Sequence, residues 1–496
     1  MNNNRISSIL RSKLLRVSLL AIFLVGCAVL LGLSGSRVSS QTSEQTPPSQ
    51  VKKEKHVSRL INDAKKAGRN FQTKELFDRQ TRSATADANR RRAVTAGTIL
   101  HLRQKDLQAL VNNDEPSLTL RLPTFGGPPV ELELVKVNLF APGFNVVTST
   151  SNDQPVTYQH GTHYWGIIKG VEDSLATISV FKNEVSGSFS SPLQGTFVLG
   201  KLAGNNPQGD HILYAENDLT SPMPLHCEMP EDNAVYTPQQ LEDSFTAQVM
   251  RCVKVFIEAD FDLFQNRGSV GETVNYVTAV FNQSAALYSN EGIPISISEI
   301  FVWTTPSPYN GLGSQQQLSQ FQSFRTSFNG DIAHLVDLQA NQGGVAAGFN
   351  GFCNPNRSQS QCYSGIEPFF ADVPTYSWTV YVFTHEMGHL FGSRHTHACV
   401  WNGNGTAIDG CSGATEGGCP LPGIPSNGGT VMSYCHLRSV GINFSLGFGP
   451  QPGNVIRNGF NGASCLGTCG DPGGSTYTTA FQTSGGFFVV AEGGGG

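Results

Sequence analysis

From Thr98 to about Leu202, apolar and polar residues alternate with a period of two. Leu118–Leu122, Val130–Val135, Ala176–Phe181 and Gly195–Leu199 each alternate between turn residues, the mark of strands with one buried face. No helical period separates them, so a small β-rich domain is predicted over residues 98–245. Beyond it the pattern changes. Val253, Val255, Ile257 and Ala259 alternate as a strand. Ser269-Val-Gly-Glu272 then reads as a capping box. The helix it opens carries Val274, Val277, Phe281 and Tyr288 near multiples of 3.6, and Gly292 stops it. Ile295–Trp303 is a second strand, Gln315–Phe328 has helical spacing, and Asp331–Leu338 reads as a strand buried on both faces. His334 within that strand is expected as a core histidine. Strand, helix and strand in this order predict an α+β region over 246–470.

The flanks have a different texture. Arg5, Arg11, Lys13 and Arg16 precede a short apolar run from Val17 to Leu33, which predicts a secretory signal over 1–36. An uncleaved anchor is one alternative, and lipidation at Cys27 in Leu24-Val25-Gly26-Cys27 is another. Residues 37–97 read as a linker. Its first part, 37–60, is rich in Ser, Gln, Pro and Lys and predicts disorder; 62–92 is charged and predicts helix, ending in Arg90-Arg91-Arg92. We read that triplet as a solvated charge cluster rather than a processing site. Residues 471–496 look like the first hairpin of a further β domain, and Phe487–Gly494 resembles a repeat unit of fascin-like β-trefoils.

The net charge of -5 conceals an asymmetry: 20 Lys and Arg against 7 Asp and Glu up to Leu110, then 13 against 31. The acidic second part excludes a nucleic-acid partner. Nine of eleven cysteines fall between Cys252 and Cys469, which predicts an exported, oxidised domain. Cys227 stands alone in a polar stretch. Ten cysteines lie beyond the signal, so a free Cys227 leaves an odd number; a Cys227–Cys252 disulfide is the other reading. Cys353 with Cys362 or Cys465, and Cys399 with Cys435, are candidate pairs. Cys411 and Cys419 are expected to pin the Gly-rich loop 402–429.

The chemistry concentrates at His385-Glu386-Met387-Gly388-His389-Leu390-Phe391-Gly392-Ser393-Arg394-His395. On a helix, His385 and His389 point the same way and both reach one metal ion. Gly392 permits a left-handed turn that ends the helix, and His395 then supplies a third nitrogen. Three histidines leave a zinc position open to water, which is a catalytic arrangement. Glu386 lies beside that face without being a ligand. The run Ser377–Thr384 before it has neither Gly nor Pro and leads into a buried helix.

This spacing, followed by Thr430-Val431-Met432-Ser433-Tyr434, resembles the metzincin zinc endopeptidases, nearest to the reprolysins or adamalysins. The resemblance implies one catalytic zinc ion on His385, His389 and His395, with Glu386 as general base to a zinc-activated water. Calcium is not readable. It implies Met432 as an apolar floor and Gly344, Val345, Ala346, Ala347 and Gly348 as an edge strand pairing with substrate. Tyr434 matches a tyrosine of astacins and serralysins that contacts zinc or the transition state. His163–Gly170 with Asp173–Ala176 looks like a reprolysin-type propeptide, and Cys227 would then cap the zinc in a zymogen. Thr396 departs from the Asp that adamalysins carry after the third histidine. His397 is expected in a surface or supporting role.

The expected fold is therefore a twisted, mostly parallel sheet with an antiparallel edge strand, an active-site helix and a Met-turn, preceded by a β-rich pro-domain. The expected function is a secreted, monomeric zinc endopeptidase made as a zymogen, acting on proteins or peptides. It would meet a membrane only through an uncleaved or lipidated N-terminus. The alternative is an exported adhesion or binding protein with a non-catalytic zinc domain. Glu386 weighs against it, because a binding-only zinc site needs no base. A zinc hydrolase for non-peptide substrates is a third reading, disfavoured by the edge strand.

Overall fold

The computed structural model describes residues 54–469 apart from 84–86, 89, 125, 205, 207, 221–226, 230–233, 244–250 and 339–342. The expected signal, the linker up to residue 53 and the C-terminal hairpin lie outside the described residues. The chain opens with helix α1 (His56–Lys66), strands β1 (Gln72–Lys74) and β2 (Phe77–Ser83), short helix α2 (Arg90–Ala93), strand β3 (Thr98–Leu102) and helix α3 (Gln104–Asn113). Strands β4 (Ser117–Leu122), β5 (Val130–Val137), β6 (Phe140–Thr148), β7 (Thr162–Ile168), β8 (Leu175–Val180), β9 (Val185–Ser191), β10 (Gly195–Lys201) and β11 (His211–Ala215) follow.

These strands, without β6, form a ten-stranded sheet in the order β1-β4-β5-β7-β8-β9-β10-β11-β3-β2. Only β1 against β4 is parallel. The period-two alternation explains its two faces. Leu118, Leu120, Leu132, Leu134 and Ile178 pack on one side with Leu107 and Leu110 of α3. Trp165, Val198, Ile212 and Tyr214 point to the other side and join the main core. Three expectations need correcting. Residues 37–60 are not uniformly disordered, since α1 begins at His56 and buries Val57 and Ile61. Residues 62–92 carry strands β1 and β2 beyond α1 rather than a continuous helix, and helix α3 interrupts the β-rich region. The Arg90-Arg91-Arg92 triplet is not simply solvated, because Arg90 Nε pairs with Asp372 Oδ2 at 2.7 Å.

The second half begins with α4 (Pro238–Leu241), β12 (Val253–Ala259), α5 (Phe261–Arg267), α6 (Val270–Asn290) and β13 (Ile295–Val302). It continues with α7 (Ser314–Phe324), β14 (Ile332–Asp337), β15 (Gly344–Ala346), β16 (Gln361–Gly365), α8 (Tyr376–Leu390) and α9 (Pro450–Gly462). Ser269 caps α6 as expected of its hydroxyl, accepting from Glu272 N at 3.2 Å. A six-stranded sheet runs β15-β16-β14-β12-β13-β6. It is parallel throughout except for the edge strand β15, which is antiparallel to β16. Its sixth strand comes from the N-terminal half: β6 leaves the first sheet two residues after β5 and pairs with β13. The predicted helix 315–328 stops at Phe324, and the edge strand covers 344–346 rather than 344–348.

Four disulfides join Cys252–Cys469, Cys353–Cys465, Cys399–Cys419 and Cys411–Cys435. The Cys227–Cys252 reading is therefore overturned, because Cys252 is taken by Cys469. Cys399–Cys435 is overturned too. Cys227 and the buried Cys362 are the free thiols among the described residues. No helix of the described residues is long and apolar enough to cross a membrane.

Candidate metal centre and cleft

All fifteen residues of α8 are buried, consistent with a helix apolar nearly all round. Several of its polar groups are tied down. Tyr381 Oη donates to Ser433 O at 2.6 Å, and Tyr288 Oη donates to Thr384 O at 2.9 Å. Gly388 gives room on the helix: a Cβ there would lie 2.6 Å from Met432 Sδ. The helix ends at Leu390, and Gly392 takes φ +108°, a region where a side chain is strained. Ser393 N donates back to Gly388 O at 3.0 Å. The turn brings His395 across the helix end.

His389 Nε2 lies 3.1 Å from His385 Nε2 and 3.1 Å from His395 Nε2. The other ring nitrogen of each is engaged. His385 Nδ1 meets Val431 O at 2.7 Å, His389 Nδ1 meets Ser393 O at 2.7 Å, and His395 Nδ1 meets Glu416 Oε1 at 2.6 Å. A carbonyl or ionised carboxylate oxygen only accepts, so each Nδ1 carries the proton and each Nε2 presents a lone pair. Burial first, then the neighbouring imidazoles, holds His385 and His389 well below the ordinary histidine range. Burial lowers His395 as well. Three neutral lone pairs converging at 3.1 Å repel unless a cation lies between them. The donor set thus fits a divalent metal ion with an affinity for imidazole, and zinc is such an ion.

Glu386 faces the same space and is completely buried; its Oε1 has no hydrogen-bond partner. Burial raises its carboxyl well above the usual range. A Cβ on Gly344 would lie 2.3 Å from Glu386 Oε1, so the edge strand passes directly over this carboxylate. Cys227 completes the group. Its Sγ is 3.4 Å from His389 Nε2 and 3.6 Å from Glu386 Oε2, and one ligand atom from each of Cys227, His385, His389 and His395 falls within 4.8 Å of the others. The backbone at Cys227 forms a parallel bridge to Gly344. Tyr434 Oη accepts from Cys227 N at 3.2 Å, with its ring 4.9 Å from that of His395.

The remaining residues fall into place around this group. Met432 is buried, and its backbone carbonyl accepts from Thr396 N at 3.0 Å. Thr396 therefore ties the third-histidine segment to the methionine turn through its backbone. Val345 and Ala346 are buried in β15, whereas Ala347 and Gly348 follow it outside the strand. His334 is a core histidine: Nε2 pairs with Ser364 Oγ at 2.8 Å, and the ring stacks on Phe383. His397 is buried rather than on the surface, stacked on His395 with Nε2 3.0 Å from Glu416 Oε1.

Glu416 is the residue that sequence reasoning missed. Burial opposes its charge, but hydrogen bonds from His395 and His397 outweigh that and hold its carboxyl far below the usual range. Its sequence signal is faint: one of two acids, with Asp409, in the Gly-rich loop 402–429, of the kind that orients a metal-binding imidazole.

Residues 249–443 match the family model Reprolysin_5, described as Metallo-peptidase family M12. Among solved structures, metalloproteinase-II from Bacteroides fragilis aligns with 10% identity and a TM-score of 0.35, covering 61% of this chain and 91% of that one. No curated protein matches the sequence significantly.

Proposed function

We propose, given that residues 249–443 are a reprolysin-like domain of metallopeptidase family M12 and the chain is a metalloendopeptidase, that it is a secreted zinc endopeptidase made in a latent form. The reading rests on one observation above the rest: three imidazole lone pairs converge beside a buried carboxylate oxygen that has no partner. His385, His389 and His395 would hold the ion, and zinc bound there would polarise the scissile carbonyl and acidify a water. Glu386 takes the proton of the attacking water and delivers it to the amide nitrogen as the C–N bond breaks. A neutral amine then leaves, and the carboxylate regains its charge.

The edge strand β15 orients the substrate. Its free side offers backbone N–H and C=O groups to an extended peptide, the usual way a sheet edge binds one. Val345 and Ala346 leave the strand low enough for close approach. Tyr434 Oη sits within reach of the same backbone position that Cys227 occupies, so it would donate to the substrate carbonyl oxygen as charge develops there. Met432 packs against Gly388 and fixes the height of the histidine helix.

Latency comes from Cys227. A thiolate is a strong zinc ligand, and its sulfur lies where the attacking water would have to stand. The strip also runs parallel to β15, whereas β16, on the other side of β15, is antiparallel to it. Four disulfides and nine cysteines in one region support an oxidising, extracellular setting. The test is direct. Purified protein, treated with a thiol-alkylating reagent, should hydrolyse a denatured protein substrate. A chelator should abolish the activity, and zinc should restore it. Absence of turnover after alkylation, with stoichiometric zinc bound, would end the peptidase reading.

A further inference from the structure

We infer that residues 54–220 are a lasting, non-covalently held half of the working enzyme, and that release from latency needs to displace only the strip at Cys227–Met229. This rests on the latency reading above, but its own support lies elsewhere in the fold. β6 is a full strand of the sheet that carries the site: Asn145, Val146, Val147 and Thr148 pair with Glu299, Ile300, Phe301 and Val302. The ladder is extended at both ends, by Ile297 N to Leu139 O at 2.8 Å and Ser149 N to Val302 O at 3.1 Å. If the N-terminal half departed, β13 would become an open edge with Ile297, Ile300 and Val302 newly exposed. Unpaired apolar edges of that kind invite aggregation.

The same half is also welded to α6 and to the start of α8. Trp165 Nε1 donates to Asn282 Oδ1 at 2.8 Å, and Asn282 Nδ2 donates to Ile178 O at 3.2 Å. Tyr214 Oη donates to Pro374 O at 2.5 Å, and Thr196 Oγ1 to Ile442 O at 3.1 Å. One continuous core holds Trp165, Val198 and Tyr214 together with Val277 and Phe281. A shared core with a shared sheet resembles an obligate interface, which does not dissociate readily.

The strip at Cys227 is held quite differently. Its backbone is tied by the bridge at Cys227, by Glu228 N to Gly344 O at 3.2 Å and by Cys227 N to Tyr434 Oη at 3.2 Å, and its Met229 Sδ accepts from Ala346 N at 3.4 Å. Glu228 is exposed and its Oε2 accepts from Gln315 N at 2.9 Å. The contacts of the two parts do not coincide: the strip touches Gly344, Glu386, His389 and Tyr434, whereas the half-molecule touches β13, α6, Pro374 and Ile442. Latency and architecture are thus carried by separate pieces of the N-terminal region.

The test uses the full chain with recognition sites for an unrelated protease placed in 221–226 and in 230–233, so that Tyr236 and α4, which are hydrogen-bonded to Gly392 and Asn458, stay with the C-terminal fragment. Both sites are cut, the protein is diluted, and it is passed over a sizing column in native buffer. All four disulfides lie within 252–469, so co-elution must be non-covalent. The expected result is that the fragment containing 54–220 elutes with the fragment containing 234–469, while the strip is lost. Amide exchange across 295–302 should stay as slow as in the uncut chain. Separate elution of the two fragments, or fast exchange at 295–302 after cutting, overturns the inference. If the inserted sites prevent folding, the exchange measurement is made on the unaltered chain after limited proteolysis, with the same outcomes. Neither readout needs proteolysis by this enzyme. A co-eluting pair that stays inactive while the alkylated uncut chain is active overturns the claim that losing the strip suffices; inactivity of both faults the peptidase reading and leaves the lasting joint standing.

Discussion

Glu386 and Glu416 are both buried acids beside the histidines, yet their surroundings assign them opposite tasks. Glu386 keeps an oxygen without a partner, which suits a group that must accept a proton and give it up. Glu416 spends one oxygen on His395 and His397, which suits a group that only holds a ring in place. Glu386→Gln should therefore retain the metal, measured by mass spectrometry of the native protein, while kcat/KM falls about 10²–10⁴-fold. Glu416→Gln should do the reverse. It should weaken metal affinity about 10–100-fold in a chelator competition, with most of the turnover recovered in excess zinc. His385, Glu386 and His389 were legible from helical spacing, and His395 from the turn that Gly392 permits. Glu416 was not, since its approach to His395 depends on a loop ordered by Cys399–Cys419, and no periodicity reports that. Cys227 was legible only as a solitary cysteine; Cys252–Cys469 settles that its thiol is not spent on Cys252.

At the scale of elements, β15 and α8 are set against each other with almost no clearance. A methyl group on Gly344 would meet the Glu386 carboxylate at 2.3 Å. Gly344→Ala should leave the thermal midpoint close to that of the parent and cost roughly 10²-fold in kcat, the penalty of misplacing a reacting group by about an ångström. Unchanged turnover would mean that the strand and the carboxylate do not act together. The strip lying over both elements gives a second expectation. Cys227→Ala in the uncut chain should raise basal activity at least tenfold, a gain of about 1.4 kcal/mol in the accessible state. A peptide map should find the thiol of Cys227 free in the parent. Strand β12 was readable from its alternation, and β13 and β14 from their apolar content. β16 was not: Gln361-Cys-Tyr-Ser-Gly365 carries little apolar signal, and its place between β14 and β15 comes from pairing alone.

Across the whole molecule, the joint between the halves is concentrated at a few large side chains. Trp165 is nearly buried, and its indole N–H is satisfied by Asn282 across the joint. Trp165→Ala should cost about 3–5 kcal/mol from the cavity it leaves, with a further loss from the stranded Asn282. A urea titration followed by circular dichroism should show one transition moving to lower denaturant. Two separate transitions would mean the halves unfold independently. The change from strands alone to strands alternating with helices was apparent beyond Val253. The exchange of β6 between sheets was invisible, because a strand's sequence states its alternation and not its neighbour.

That crossing has a consequence for how the protein is made. A ribosome delivers β6 long before it delivers β13, and the strand that will separate β5 from β7 in sequence has no partner among the residues already synthesised. Until Ile295–Val302 emerges, Val146 and Val147 can pair only with the wrong edge. Non-local pairings of this kind are slow and leave sticky intermediates. Biogenesis should therefore favour handling of the nascent chain in an unfolded state, with folding postponed until both halves have been synthesised. A pulse-chase in which protease resistance of the N-terminal half is followed against chain length would show resistance arriving only once β13 has been completed.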